Sequence, residues 1–209
     1  PFTVAFSVVG APAFGYVRTY SDSEGEESHG LVVNLAQAQP HLESTFGQFS
    51  LDLLVDTIRD GFFNHEAFRV VYHEYLAQSE RGPARPIDRL KSALLSRGIA
   101  WYLSYCRNLA FYDEILDLQT GALDDHIAAW NRVVDTVRRK NHTEALFDDW
   151  LEMPEPRAPG EMNLDVLGYF AARAIAEKHG DAGLRDSVTE GPDRFIALFN
   201  EASPAPLEK

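Results

Sequence analysis

Two adjacent side chains, His73 and Glu74, could together move protons in this 209-residue chain. They lie in the stretch NHEAFRVVYHEYLAQSE, residues 64–80, where Phe68, Val71, Tyr72, Tyr75 and Leu76 recur at helical spacing. A His-Glu pair on a helix is half of the H-E-x-x-H arrangement, in which two histidines one turn apart hold a metal ion and the glutamate serves as general base. The second histidine position is Ala77, which has no donor to offer. Rotation of about 100° per residue groups His73 with Glu66, Arg69, Ala77 and Glu80 opposite the apolar stripe, with Glu74 at the edge of that face. Such a face is either plain surface or the floor of a cleft. His65 does not repair the metal set: it is two turns from His73, about 12 Å along the axis, whereas zinc–ligand bonds are near ~2 Å.

Arg97 is the second chemically pointed residue. It falls within a long helix expected from residue 87 to about 106, on a face with Ala93, Ala100, Trp101 and Ser104 that suits either a cleft lining or close helix packing. An ordinary surface arginine is the plain alternative. The succession of short N-terminal strands, the helix VYHEYLAQ, the helix SALLSRGIAWYLSY and the block LGYFAARAIAEKHGDAGLRDSVTEGPDRFIALFN resembles predicted gluzincin-type zinc metallopeptidases of unassigned substrate. In that family the second helix carries a metal-binding glutamate in a Ser-Glu-Gly-x-Ala setting. Residues Ser96, Arg97, Gly98, Ile99 and Ala100 fall on this pattern, with Arg97 at the glutamate position. The resemblance therefore implies a degenerate site that keeps His73 as the one retained ligand. Zinc is disfavoured, because alanine cannot coordinate and a guanidinium repels a cation. No cofactor is expected. Arg97 would supply the positive charge instead, pairing with Glu74 or fixing a substrate carboxylate or enolate. His73 and Glu74 would then be the catalytic proton donor and acceptor, with Arg97, Trp101 and Tyr169 binding the substrate.

Elements to position these residues are legible along the chain. Residues 3–9 and 13–20 read as strands that could pair as a hairpin, the acidic stretch 21–30 as a solvated loop holding His29 in a turn, and residues 31–35 as a third strand. From Ser50 the apolar spacing becomes helical through Leu51, Leu54, Val55 and Ile58, and Asn64 is placed to cap the next helix. A break at residues 81–86 precedes the Arg97 helix. Further helices are expected over 123–139, 143–151 and 164–179, the last stopping at Gly180, and another from Pro192 to about Phe199 with a frayed tail. The expected fold is α+β, mostly α and zincin-like: a small N-terminal β-sheet followed by helices including the motif helix. The proline-rich run 153–162 suggests a core over 1–152 and a helical C-terminal extension over 153–209 packed on it as one compact unit.

Weaker candidates have plainer explanations. Cys106, His126 and Asp125 contain the ingredients of a thiol nucleophile, base and orienting acid, but no spacing joins them, and a structural thiol is the simpler reading. Tyr102, Tyr105 and Tyr169 could approach an oxyanion, though aromatic packing explains them. His142 and His179 fall near helix ends, where capping accounts for them.

Composition narrows the partners. With 19 Lys+Arg against 32 Asp+Glu the net charge is −13, which repels a phosphate backbone and an anionic membrane alike. No apolar run is long enough to span a bilayer, and the opening PFTVAFSVVGAPAFGYV lacks a basic signal-peptide region. A single cysteine forms no internal disulfide and fits a cytoplasmic location. No phosphate-binding glycine loop is present. The expectation is metal-free acid-base chemistry, an isomerisation, elimination or cyclisation, on a small molecule. Its competitors are a genuine zinc peptidase whose ligands lie in another register, and a non-catalytic binding module.

Overall fold

The computed structural model describes residues 2–7, 15–21, 27–78, 85–106, 123–139 and 163–208. Strands β1 (Phe2–Ser7), β2 (Gly15–Ser21) and β3 (Glu27–Asn34) form a sheet in the order β1-β3-β2. The expected hairpin of the first two strands is not formed. Instead β3 is central, parallel to β1 from Phe2 opposite His29 to Ser7 opposite Asn34, and antiparallel to β2 from Gly15 opposite Val33 to Ser21 opposite Glu27. The reason lies in β3 itself. Its run Leu31, Val32, Val33 is buried, as a central strand demands, and it begins inside the acidic stretch expected to be a loop. His29 is thus a strand residue. Asn34 then turns the chain by accepting a bond from the Ala36 amide, leading into a 3₁₀ turn and α1 (Ala38–Phe46).

Ser50 caps α2 (Leu51–Asp56) by accepting a bond from the Leu53 amide at 3.1 Å. Asn64 does not start a new helix. The chain passes from α2 through a π-helical segment, Thr57–Phe63, directly into α3 (Asn64–Gln78). The wider i→i+5 winding rotates side chains off their α-helical positions. Leu54, Ile58 and Phe62 pack against Val33 and Ala38, while Leu51 is 72% exposed and Val55 is also exposed. In α3 the expected stripe holds for Phe68, Tyr72, Tyr75 and Leu76 but not for Val71, which is 63% exposed.

The main core gathers α3, α4 (Pro86–Tyr105), α5 (Leu123–Arg139), α6 (Leu164–Glu190) and α7 (Pro192–Ala202) around Leu90, Leu94, Trp130, Leu167, Ile175 and Phe199. Helices α4 and α6 cross at Gly98 and Gly168. A Cβ placed on Gly98 would stand 2.3 Å from the Gly168 carbonyl oxygen, so no other residue permits this approach. Gly180, with φ of 65°, breaks α6 where a stop was expected, but a further helical stretch continues to Glu190. The segment after α7 is not frayed: Leu207 is buried and Trp130 donates to the Glu208 carbonyl at 2.9 Å. The described residues are mostly helical, in agreement with the α-dominated class expected. The helix over 143–151 with His142, the proline-rich connection 153–162, residues 79–80 at the end of the motif stretch and residues 81–84 of the expected break fall outside the described residues. Among the described residues no helix is long and apolar enough to cross a membrane.

Candidate functional site

The residues singled out by sequence divide into two groups. His73 and Glu74 stand on the exposed side of α3, and Glu74 accepts a 2.8 Å bond from the imidazole Nε2 of His29 in β3. This contact ties the sheet to the motif helix. Arg97 faces elsewhere: its Nη1 lies 3.3 Å from Asp165 Oδ1 at the start of α6, and both side chains are part-buried. The backbone explains the pairing. Asn163 caps α6 by accepting from the amides of Asp165 and Val166, which fixes Asp165 in the first turn, three residues before Gly168 at the crossing. Arg97 precedes Gly98 on the other helix. The glycine contact therefore brings the two charges to the rim of the same close crossing, and the Gly98-x-Ala100 pattern is accounted for by packing.

Trp101 lies one turn beyond Arg97 on α4, so the two share a face. Its ring stacks on Tyr105 at a centroid distance of 5.2 Å, and Tyr105 meets Tyr169 edge-on at 6.1 Å. Tyr169 is a core residue, 1% exposed. Trp101 also meets His65, which offers no second metal ligand to His73. His65 lies 4.6 Å from the Trp101 ring centroid, tilted by 54°.

His65 and Glu66 form a second His-Glu pair, eight residues before the first. At 100° per residue His65 falls about 20° from buried Tyr72, near the middle of the face that α3 turns inward, whereas His73 is about 80° further round. That rotation was a legible signal. The π-helical segment seats this end of α3 against α4: Ser104 donates to the Gly61 carbonyl at 2.8 Å, and Asn64 reaches the Leu103 carbonyl at 3.5 Å. His65 is left 13% exposed, with Nδ1 at 2.9 Å from Glu66 Oε1. An ionised carboxylate only accepts, so this contact places a proton on Nδ1, and in the neutral ring the lone pair is then on Nε2. Nε2 is buried and has no hydrogen-bond partner among the described residues. Burial works to raise the Glu66 pKa, but the bond from His65 and the charge of Arg69 outweigh it and hold the carboxyl below its ordinary range.

The candidate site is thus the seam of α3, α4 and α6: His65 bonded to Glu66, whose carboxylate also meets Arg69, the Trp101–Tyr105 stack, and the Arg97–Asp165 pair one turn away. Among the described residues no group of three or more His, Cys, Asp or Glu side chains could hold a metal ion. Neither His-Glu pair has a histidine four residues on: the positions are Arg69 and Ala77. Cys106 closes α4 with Sγ 3.6 Å from the Leu103 carbonyl, Asp125 is exposed, and buried His126 accepts from the Asn163 amide at 3.4 Å, beside the α6 cap. His179 precedes the Gly180 break, 3.6 Å from Glu201. Comparison of the chain with protein-family models, with curated proteins and with solved structures finds no match, so these side chains alone carry the functional argument.

Proposed function

We propose that this chain is a zincin-like protein that does without catalytic zinc and uses the α3–α4 seam for metal-free acid-base chemistry on a small molecule in the cytoplasm. The observation that carries the reading is the buried, partnerless Nε2 of His65. A buried polar atom without a partner is uncommon and calls for an explanation. Here Glu66 orients the ring from the far side, the arrangement that makes an imidazole a directed proton acceptor. Trp101 and Tyr105 offer a flat apolar wall, and Arg97, already paired with Asp165, sets a guanidinium one turn away on the same helix. A planar acid or enolisable ketone would lie along that wall with its carboxylate or developing enolate toward Arg97 and its acidic C–H toward Nε2. The reaction class is an isomerisation, elimination or cyclisation that begins with proton abstraction. The mutual dependence of the elements supports this placement, because the π-helical segment, the Ser104 bond and the glycine crossing all converge on the seam.

The test uses a panel of benzoate, hydroxybenzoates, 2-oxo acids and cyclic enones, followed by NMR on the full chain. Binding that perturbs the His65 ring and the Trp101 indole, and that is lost in both Arg97→Ala and His65→Phe, is the expected result. The phenylalanine variant keeps a ring against Trp101 and removes the proton acceptor. Affinity unchanged in both variants overturns the reading, as does stoichiometric zinc in protein purified without chelator.

A further inference from the structure

The segment following α7 is held in a manner that ordinary packing does not require. Asn200 reads one residue completely: its Oδ1 accepts from the Leu207 amide at 2.7 Å and its Nδ2 donates to the Leu207 carbonyl at 2.8 Å. Asn131, on α5, treats the flanking residues similarly, accepting from the Glu208 amide at 2.8 Å and donating to the Pro206 carbonyl at 3.2 Å. Trp130 donates its indole N–H to the Glu208 carbonyl at 2.9 Å. Five main-chain groups over three residues are therefore satisfied by side chains from two helices. Two side chains add selectivity: Leu207 is 2% exposed among core residues, and the Glu208 carboxylate meets Arg138 at 2.9 Å.

This is how proteins recognise extended peptides, with main-chain hydrogen bonds giving affinity and a side-chain pocket giving specificity. We propose that the groove between α5 and α7 is a peptide-recognition site, occupied in cis by residues 203–208, and that an extended segment with leucine followed by an acidic residue competes for it in trans. The groove reads backbone through Asn131, Asn200 and Trp130, so it accepts any segment that supplies an apolar anchor and an adjacent carboxylate. Displacement would undo the bonds that the segment makes to α5 at Trp130, Asn131 and Arg138. Helix α5 in turn touches the start of α6 through His126 and the Asn163 amide. The device thus reaches the turn that presents Asp165 to Arg97, although the groove itself stands independently of any chemistry there.

Tethering gives the resident segment an effective concentration on the order of millimolar, so a free peptide competes poorly with it until the tethered copy is weakened. The experiment uses the full chain carrying Leu207→Asp, which expels the anchor, and a synthetic peptide of sequence SPAPLEK, with the Trp130 indole N–H resonance as the readout. The peptide is expected to restore the wild-type indole position in Leu207→Asp at a concentration at least about tenfold below that needed to perturb the wild-type chain. Adding Asn131→Ala should weaken uptake about tenfold, and a peptide with aspartate in place of leucine should not bind. Leu207→Ala, a gentler change read the same way, serves if Leu207→Asp does not fold. A folded variant with a displaced indole resonance that takes up no peptide at millimolar concentration overturns the proposal. Equal binding of the aspartate-substituted peptide overturns it too, because the groove would then lack the anchor that defines it.

Discussion

Helix α3 carries the same dipeptide twice, and the two copies have different surroundings. His73 and Glu74 face outward, with Glu74 bonded across to His29 of the sheet. His65 and Glu66 face the Trp101 ring, with one imidazole nitrogen bonded and the other buried without a partner. The residue types are identical, so the difference comes from rotation about the helix axis and from what the neighbouring helix offers. A motif fixes spacing along one helix. Whether that spacing produces a site depends on burial, on a partner that orients the ring, and on a surface against which a ligand can lie.

The largest expected effect comes from destroying what makes the two pairs different. Gly98→Ala forces a Cβ against the backbone of Gly168, where no side-chain adjustment can relieve the overlap, and the α4–α6 crossing must open. We expect a loss of about 3 kcal/mol in stability by chemical denaturation. The Trp101 wall should shift with α4. His65 would then sample solvent as His73 does, visible as a collapse of the difference between their ring resonances. A variant with unchanged stability would show that the crossing is looser than the glycine contact indicates.

Smaller and more local is the pair of histidine truncations. His65→Ala removes the ring contact with Trp101 and the bond to Glu66, and should cost about 1 to 2 kcal/mol, tempered by release of the partnerless nitrogen. His73→Ala removes an exposed side chain and should stay within about 0.5 kcal/mol of wild type. Equal effects in paired denaturation curves would erase the distinction between the two faces.

Local signals in the sequence survived folding where they depended on nearby residues. The Ser50 cap, the helical stripe of Phe68, Tyr72, Tyr75 and Leu76, the break at Gly180 and the start of α7 at Pro192 all follow from near neighbours in the chain. The strand order did not, because β3 takes the centre by pairing with β1 on one side and β2 on the other, which strand-length patterns do not specify. The π-helical segment was equally hidden. It turns the expected Asn64 cap into a helix interior, and no periodicity announces such a change. For the site, Arg97 and Trp101 lie one turn apart on the helix that the sequence led one to expect. The partners of that helix were not visible: Asp165 is 68 residues away, and Leu207 packs into a core whose other members are drawn from five helices.

The smallest effect is also the most diagnostic, because it separates the forces on one carboxylate. Glu66 has its pKa lowered in the folded chain although burial opposes this, through the bond from His65 and the charge of Arg69. A carboxyl whose folded pKa lies below its unfolded value contributes stability that is fully present above the unfolded pKa, near about 4.3 for glutamate, and is lost as pH falls through the folded value. Glu66→Gln removes that contribution. The thermal stability of the variant should therefore lie below wild type at neutral pH and converge on it as the pH falls through the lowered folded value. Arg69→Ala should keep part of the gap, since the His65 bond remains, and His65→Phe should keep the part owed to Arg69. A gap that is constant with pH would mean that the carboxylate is not held by these two neighbours, and the inner His-Glu pair would then be no more organised than the outer one.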